Sequence, residues 1–270
     1  MTTSDLRLVH WSDLHFATSP VPTLAPARAV QLASEAVNRD FGADDLALVI
    51  SGDITTMGRA IGYTQASRAL RGARGIMNLS AVAMCPGNHD ISAVNPTDFV
   101  DFNRFAFETT RDPQQQWDSR NPVRVVEVGD YSLLLVNSAF KGDHSTGAIP
   151  LAELRSALDR TALRHQIVVL HHSPISSAYA GGGLADAYDF LALVGQYDVA
   201  AVLHGHVHSD QGLHFGSYST WLFGAGSLGF EPDPNMNNQF VVHEFSNGVA
   251  DRTRLYRYYR SSDQFEGGSI

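Results

Sequence analysis

The stretch Cys85-Pro86-Gly87-Asn88-His89-Asp90 crowds an amide, an imidazole and a carboxylate just past the short apolar run Ala81-Val82-Ala83-Met84. Pro86 fixes φ and Gly87 tolerates unusual backbone angles, so a turn there aims Asn88 and His89 out of a strand end. On its own the stretch reads equally well as a polar turn closed by Asp90. The same arrangement recurs, however, along the chain. Leu6–Trp11 runs into Ser12-Asp13-Leu14-His15, where an extended backbone would put Asp13 and His15 on one side. Leu46–Ser51 ends in Gly52-Asp53, Gln166–Leu170 in His171-His172-Ser173-Pro174, and Val199–Leu203 in His204-Gly205-His206-Val207-His208. In the last of these Gly205 permits close backbone approach and His206/His208 repeat the i, i+2 spacing.

Collected together, Asp13, His15, Asp53, Asn88, His171, His206 and His208 are too many nitrogen and oxygen donors for one tetrahedral ion. They suit two adjacent ions sharing a carboxylate. The single cysteine, Cys85, excludes a disulfide framework and a cysteine-based zinc site and is read as a buried spacer. Isolated histidines are ordinarily core or surface residues, and His10, His165, His214 and His243 are read as such.

The elements that must present these tips alternate strand and helix. Helices are expected at 27–38, 60–74 with a stop near Gly72, 98–110 and 150–161, between strands at 6–11, 46–51, 81–84, 131–137, 166–170 and 199–203. Such alternation implies parallel strands, and open α/β sheets place their sites beyond the carboxyl ends of those strands. Residues 111–122 read as an irregular mixed-charge loop. Strands at 218–223, 239–245 and 253–259 follow without helices and suggest an antiparallel meander completing a second sheet. Gly224-Ala225-Gly226-Ser227-Leu228-Gly229 matches Gly-x-Gly-x-x-Gly, but Phe230-Glu231-Pro232-Asp233-Pro234 cannot open the helix a dinucleotide turn requires.

With 270 residues, 44% of them apolar, the chain can build one sizeable core. A single domain over 1–260 with a frayed tail at 261–270 is expected. A polar start and the lack of any bilayer-length apolar run point to a cytoplasmic protein without membrane contact. The net charge of -9 argues against tracking a nucleic-acid polymer. Assembly into a homo-oligomer is left open.

In this order the motifs Asp-x-His, Gly-Asp, Gly-Asn-His-Asp, His-His-x-Pro and Gly-His-x-His resemble the calcineurin-like metallophosphoesterases, from Asp13 to His208. The chain looks most like that family's bacterial cyclic nucleotide phosphodiesterases (class III). The resemblance implies an α/β fold, a four-layer αββα sandwich of two mixed β-sheets flanked by helices. It further implies two transition-metal ions per chain, of manganese, iron, zinc or cobalt. One would be held by Asp13, His15 and His208, the other by Asn88, His171 and His206, with Asp53 bridging. His89 would be a catalytic residue that helps the leaving oxygen depart, and Asp90 the carboxylate that orients it. His204 would be structural.

Two cations ~3.5–4 Å apart can neutralise a phosphodiester, acidify a shared water and hold nucleophile and phosphorus in line. The first expectation is therefore hydrolysis of small phosphodiesters, cyclic nucleotides among them. A protein or small-molecule phosphomonoesterase ranks second, a DNA nuclease third and an inactive scaffold fourth. The loops 88–96, 173–183 and 209–216, with Tyr179, Ser209 and His214, are expected to rim the ions.

Overall fold

The computed structural model describes residues 5–91, 99–139, 146–175, 182–214, 220–230 and 237–270. Two strand-helix-strand passes open the chain: β1 (Leu6–Trp11), α1 (Pro26–Phe41), β2 (Leu46–Ile50), α2 (Ala60–Ile76) and β3 (Leu79–Met84). After α3 (Val100–Thr110) come β4 (Val123–Val128), β5 (Tyr131–Val136), α4 (Leu151–Arg160), β6 (His165–Val169), α5 (Ala187–Gln196) and β7 (Ala201–His204). The chain closes with β8 (Asp210–His214), β9 (Trp221–Ala225), β10 (Gln239–Ser246), β11 (Val249–Tyr259) and β12 (Gln264–Ser269).

The strands form two mixed six-stranded sheets, in the orders β12-β11-β10-β1-β2-β3 and β4-β5-β6-β7-β9-β8. Alternation along each strand explains why the sheets stack. In the second sheet Leu133, Leu135, Ile167, Val169 and Leu203 join the large core shared with the first sheet. Their neighbours Leu134, Val136, Val168, Leu170 and Val202 pack outward on Leu154 and Ala157 of α4 and Phe190, Leu193 and Val194 of α5. On the far side α1 presents Ala29, Val30, Ala33, Ala36 and Val37 at helical spacing after Pro26 in its first turn. The result is the helix-sheet-sheet-helix sandwich, with the central strands β2, β5, β6 and β7 buried on both faces and correspondingly continuous in hydrophobicity.

Registration makes the strand ends flush. Trp11 pairs with Ile50 and Ile50 with Met84 in the first sheet, and Val169 pairs with Leu203 in the second. All of these strands run parallel, so the polar segments that follow them leave the sandwich at one edge.

Several expectations change. Helix α2 runs through Gly72 to Ile76, because Gly72 faces open space while Tyr63, Ala66, Leu70 and Ala73 keep one face buried. The last strands do not complete the second sheet as a meander. β9 enters it parallel to β7, whereas β10 pairs antiparallel with β1 and carries β11 and β12 into the first sheet. A period of two identifies a strand but not the edge it will occupy, and β1 had one free edge beside β2. Residues 261–270 are not a frayed tail. Gln264–Ser269 returns as β12 on β11, with Phe265 fully buried against Phe240 and Tyr258. Most of the expected loop 209–216 is the edge strand β8. α5 and β4 were not anticipated, since both are short and follow polar stretches. Among the described residues no helix is long and apolar enough to cross a membrane.

Candidate metal centre

The loop after β1 is zipped to the loop after β2. The Asp13 N–H donates to the Gly52 carbonyl (3.1 Å), His15 N–H to Asp53 (3.0 Å) and Phe16 N–H to Ile54 (2.9 Å). Asp13, His15 and Asp53 all have positive φ, as do His206 and His208 after β7. The expected reason for the i, i+2 pairs therefore fails: these backbones are not extended but left-handed, a conformation costing side-chain-bearing residues energy and concentrated at functional sites. Gly205 lets the third loop close on the first. A Cβ there would lie 1.8 Å from Ser12 Oγ and 2.5 Å from Asp13 Oδ2.

All seven expected ligand residues converge. Asp13 Oδ1 lies 3.0 Å from His208 Nε2 and 3.7 Å from His15 Nε2, while Asp13 Oδ2 accepts the His206 N–H at 3.1 Å. Asp53 Oδ2 stands between His15 Nε2 (3.6 Å) and His171 Nε2 (3.3 Å). Asn88 Oδ1 is 2.9 Å from His171 Nε2 and 3.2 Å from His206 Nδ1. His171 Nδ1 donates to the Ser51 carbonyl (2.9 Å), which leaves Nε2 as the donor atom facing the cluster.

The set fits cations. Ligand atoms of Asp13, His15 and His208 lie within 4.8 Å of one another, and so do those of Asp13, Asp53 and His171. Both ring nitrogens of His15 and Nε2 of His206 are buried without a hydrogen-bond partner among the described residues, which is costly unless something else satisfies them. Burial raises the pKa of Asp13, but His208 and His15 hold it well below the usual carboxylate range. Burial opposes ionisation of Asp53 likewise, and His171 overrides it. Against burial, Asp53 pushes His171 up to about 9, and Asp13 raises His208. Two ionised, buried carboxylates thus draw positive charge into one pocket, and oxygen and imidazole donors without thiolate suit transition metals.

His89 stands beside this cluster. Its N–H donates to Asp53 Oδ1 (2.8 Å), its ring lies 5.1 Å from that of His15, and Nδ1 is 2.9 Å from the Thr56 carbonyl. A carbonyl only accepts, so Nδ1 carries a proton and Nε2 is the atom left for proton exchange. The orienting role expected of Asp90 is thereby corrected. Its carboxylate is spent on the backbone N–H groups of Ile54, Thr55 and Gly87 (3.0, 3.0 and 3.1 Å) and on the Tyr63 hydroxyl (3.2 Å). Asp90 clamps the loop after β2 to the loop after β3, and Thr56 orients His89. Burial, then the Asp53 charge, push Asp90 up to about 6.

His204 is buried, with Nδ1 3.3 Å from the Gly205 carbonyl, and Cys85 is buried with its thiol pKa raised by desolvation. His10 and His243 pack against each other inside the protein, 5.8 Å between rings. His214 packs on Trp221. Ser209 follows His208 directly, whereas Tyr179 and much of the expected rim lie outside the described residues. Sequence reasoning passed over Thr56, which acts through its carbonyl and leaves no side-chain signal. It also passed over Tyr63, whose signal was a tyrosine on the buried face of a helix needing a hydroxyl partner.

Residues 6–210 match the model of the calcineurin-like phosphoesterase family. A search of curated sequences found no match. Among solved structures, GAP50, the anchor in the inner membrane complex of Plasmodium, superposes with a TM-score of 0.63 at 13% identity over 99% of this chain and 89% of that one. The purple acid phosphatase PPD1 of yellow lupin (Lupinus luteus) gives 0.62 at 15% identity, covering 100% of this chain, which spans only 54% of the plant enzyme. TT1561 of Thermus thermophilus gives 0.58 at 15% identity, with 99% of both chains covered. At these identities the structures share the fold alone; the family match over most of the chain, on the strands that carry the converging residues, makes this protein a member of the calcineurin-like phosphoesterases.

Proposed function

We propose that the chain hydrolyses small phosphodiesters, cyclic nucleotides among them, with Asp13, His15 and His208 holding one transition ion, Asn88, His171 and His206 another, and Asp53 shared. The observation that carries this reading is the pairing of a buried N/O donor cluster with an imidazole, His89, poised just outside it. Bound there, two ions would neutralise the phosphate and acidify a water. The protein's own work is positioning. Asp53 ties the cluster to His89 by accepting its backbone N–H, so the group that handles the proton is set relative to the site that holds the phosphate. Thr56 holds Nδ1–H, and His89 in its imidazolium form delivers the second proton, on Nε2, to the departing alkoxide and is left as the neutral Nδ1–H tautomer, help worth about 10²–10⁴-fold.

A diester's alkoxide leaving group needs that proton, and a chain of net charge -9 favours small substrates over polymers. Monoester hydrolysis is the second reading, favoured by the fold shared with a purple acid phosphatase. The test is an activity panel of 3′,5′-cyclic nucleotides, bis-nitrophenyl phosphate, nitrophenyl phosphate and DNA, each with manganese, iron, zinc and cobalt. Small diesters should be cleaved fastest. Faster turnover of monoesters installs the second reading, and cleavage of DNA with every small diester intact overturns both.

A further inference from the structure

Among the expected histidine ligands His15 alone has neither ring nitrogen hydrogen-bonded within the described residues; His206 keeps one such contact, Nδ1 to Asn88, and His208 one, Nε2 to Asp13. A metal-binding histidine almost always has its second ring nitrogen hydrogen-bonded, which fixes the ring plane. His171 follows that rule through Ser51. His15 does not: it is buried, and among the described residues neither of its ring nitrogens has a hydrogen-bond partner, Nε2 standing 3.7 Å from Asp13 Oδ1 and 3.6 Å from Asp53 Oδ2. Beyond those two carboxylates, other rings pack on it. His89 lies 5.1 Å away, His208 5.5 Å and Phe230 4.8 Å, and Phe230 also packs on His208 at 5.4 Å. Phe230 thus touches both imidazoles of the Asp13/His15/His208 group. The imidazoles of the other group, His171 and His206, pack on each other and on His172.

The Gly-rich run that failed as a dinucleotide turn explains how Phe230 reaches this place. It bolts the end of β9 onto the loop after β1. Leu228 N–H donates to the Ser12 carbonyl (3.0 Å), and Gly229 N–H and Ser227 Oγ both donate to the Asp13 carbonyl (3.1 and 3.0 Å). Ser227 Oγ in turn accepts the Phe230 N–H at 2.9 Å. Gly229 is required by contact, because a Cβ there would lie 2.0 Å from the Leu14 carbonyl oxygen. The segment therefore moves with Asp13 and His15, and its last residue is pressed against two ligand rings.

We infer that Phe230 is a positioning residue for one ion only, the one assigned to Asp13, His15 and His208, setting by packing the ring plane of His15 that no hydrogen bond among the described residues sets. This rests on the two-ion reading above. The experiment loads the full chain with zinc or manganese, measures metal content, and follows release of each ion to a chromophoric chelator. The parent should hold two ions. Phe230→Ala should release one of them about 10–100-fold faster, the range seen when groups that orient a metal ligand are removed, and leave the other unchanged. Phe230→Tyr, which keeps the ring, should behave as the parent. Phe230→Leu, which keeps apolar bulk without a ring, should accelerate the same ion and carries the test should the alanine variant not fold. Unchanged release from the leucine or alanine variant, or equal acceleration of both ions, overturns the assignment. A parent that binds no metal overturns instead the two-ion reading on which it stands.

Discussion

Asp53 is the residue whose loss should be felt most widely. Its carboxylate faces His15 and His171 and accepts the His89 N–H, so it touches both groups of N/O donors and the proposed proton donor. Metal analysis should find Asp53→Ala depleted in both ions, whereas His15→Ala should chiefly weaken one. His89 carries a different prediction, because it meets the cluster only through its backbone and ring edge. His89→Ala should retain metal yet lose about 10²–10⁴-fold in kcat for alkyl diesters. Its deficit should shrink for nitrophenyl esters, whose leaving group needs little protonation; equal losses on both substrates would point to phosphate binding instead. Asp90 predicts a stability effect. Asp90→Asn turns an amide N–H₂ toward backbone donors that now have no acceptor, at about 1–3 kcal/mol for each one left unsatisfied. Urea denaturation should show this loss even in metal-free protein.

The elements matter through where their ends stop. Flush parallel strands in each sheet bring the loops to one edge, and left-handed residues stand where the donor side chains converge. Gly205 is the tightest of these joints. Gly205→Ala should drive the loop after β7 away from Ser12 and Asp13 and lower metal content without unfolding the sandwich, which circular dichroism can separate. At the opposite end of the first sheet, β12 contributes Phe265 to the core between α1 and the sheet. Phe265→Ala should cost about 3–5 kcal/mol, the usual range for a buried phenylalanine. A disordered tail would predict no change in the urea midpoint.

Across the molecule, buried imidazoles outside the donor cluster link stability to pH. Burial lowers His243 from an ordinary 6.5 to about 3, and burial together with His243 lowers His10. The unfolded chain takes up protons below about pH 6.5 that folded His243 refuses until about pH 3. Its contribution is therefore complete above 6.5 and is lost as pH falls through that window, by up to about 1.4 kcal/mol per unit. In metal-free protein the parent should lose stability between pH 7 and 5 more steeply than His243→Leu; parallel curves would refute the linkage.

The residues that converge on one cluster were readable from residue types alone. Asp13, His15, Asp53, Asn88, His171, His206 and His208 each follow a short apolar run, and strand ends in an α/β chain have few places to go. Local periodicity also marked most helices and strands. It could not say that β10 would take the free edge of β1, because a two-residue period is blind to partners. Nor could it see that 264–269 would pair, since Gly267 and Gly268 dilute the strand signal and the pairing energy comes from β11 and the pocket around Phe265. The roles of Asp90 and Phe230 were hidden for a related reason. Which backbone N–H groups a buried carboxylate meets, and which rings an aromatic side chain presses on, depend on loops from different sheets closing on one another, and that closure exists only in the folded chain.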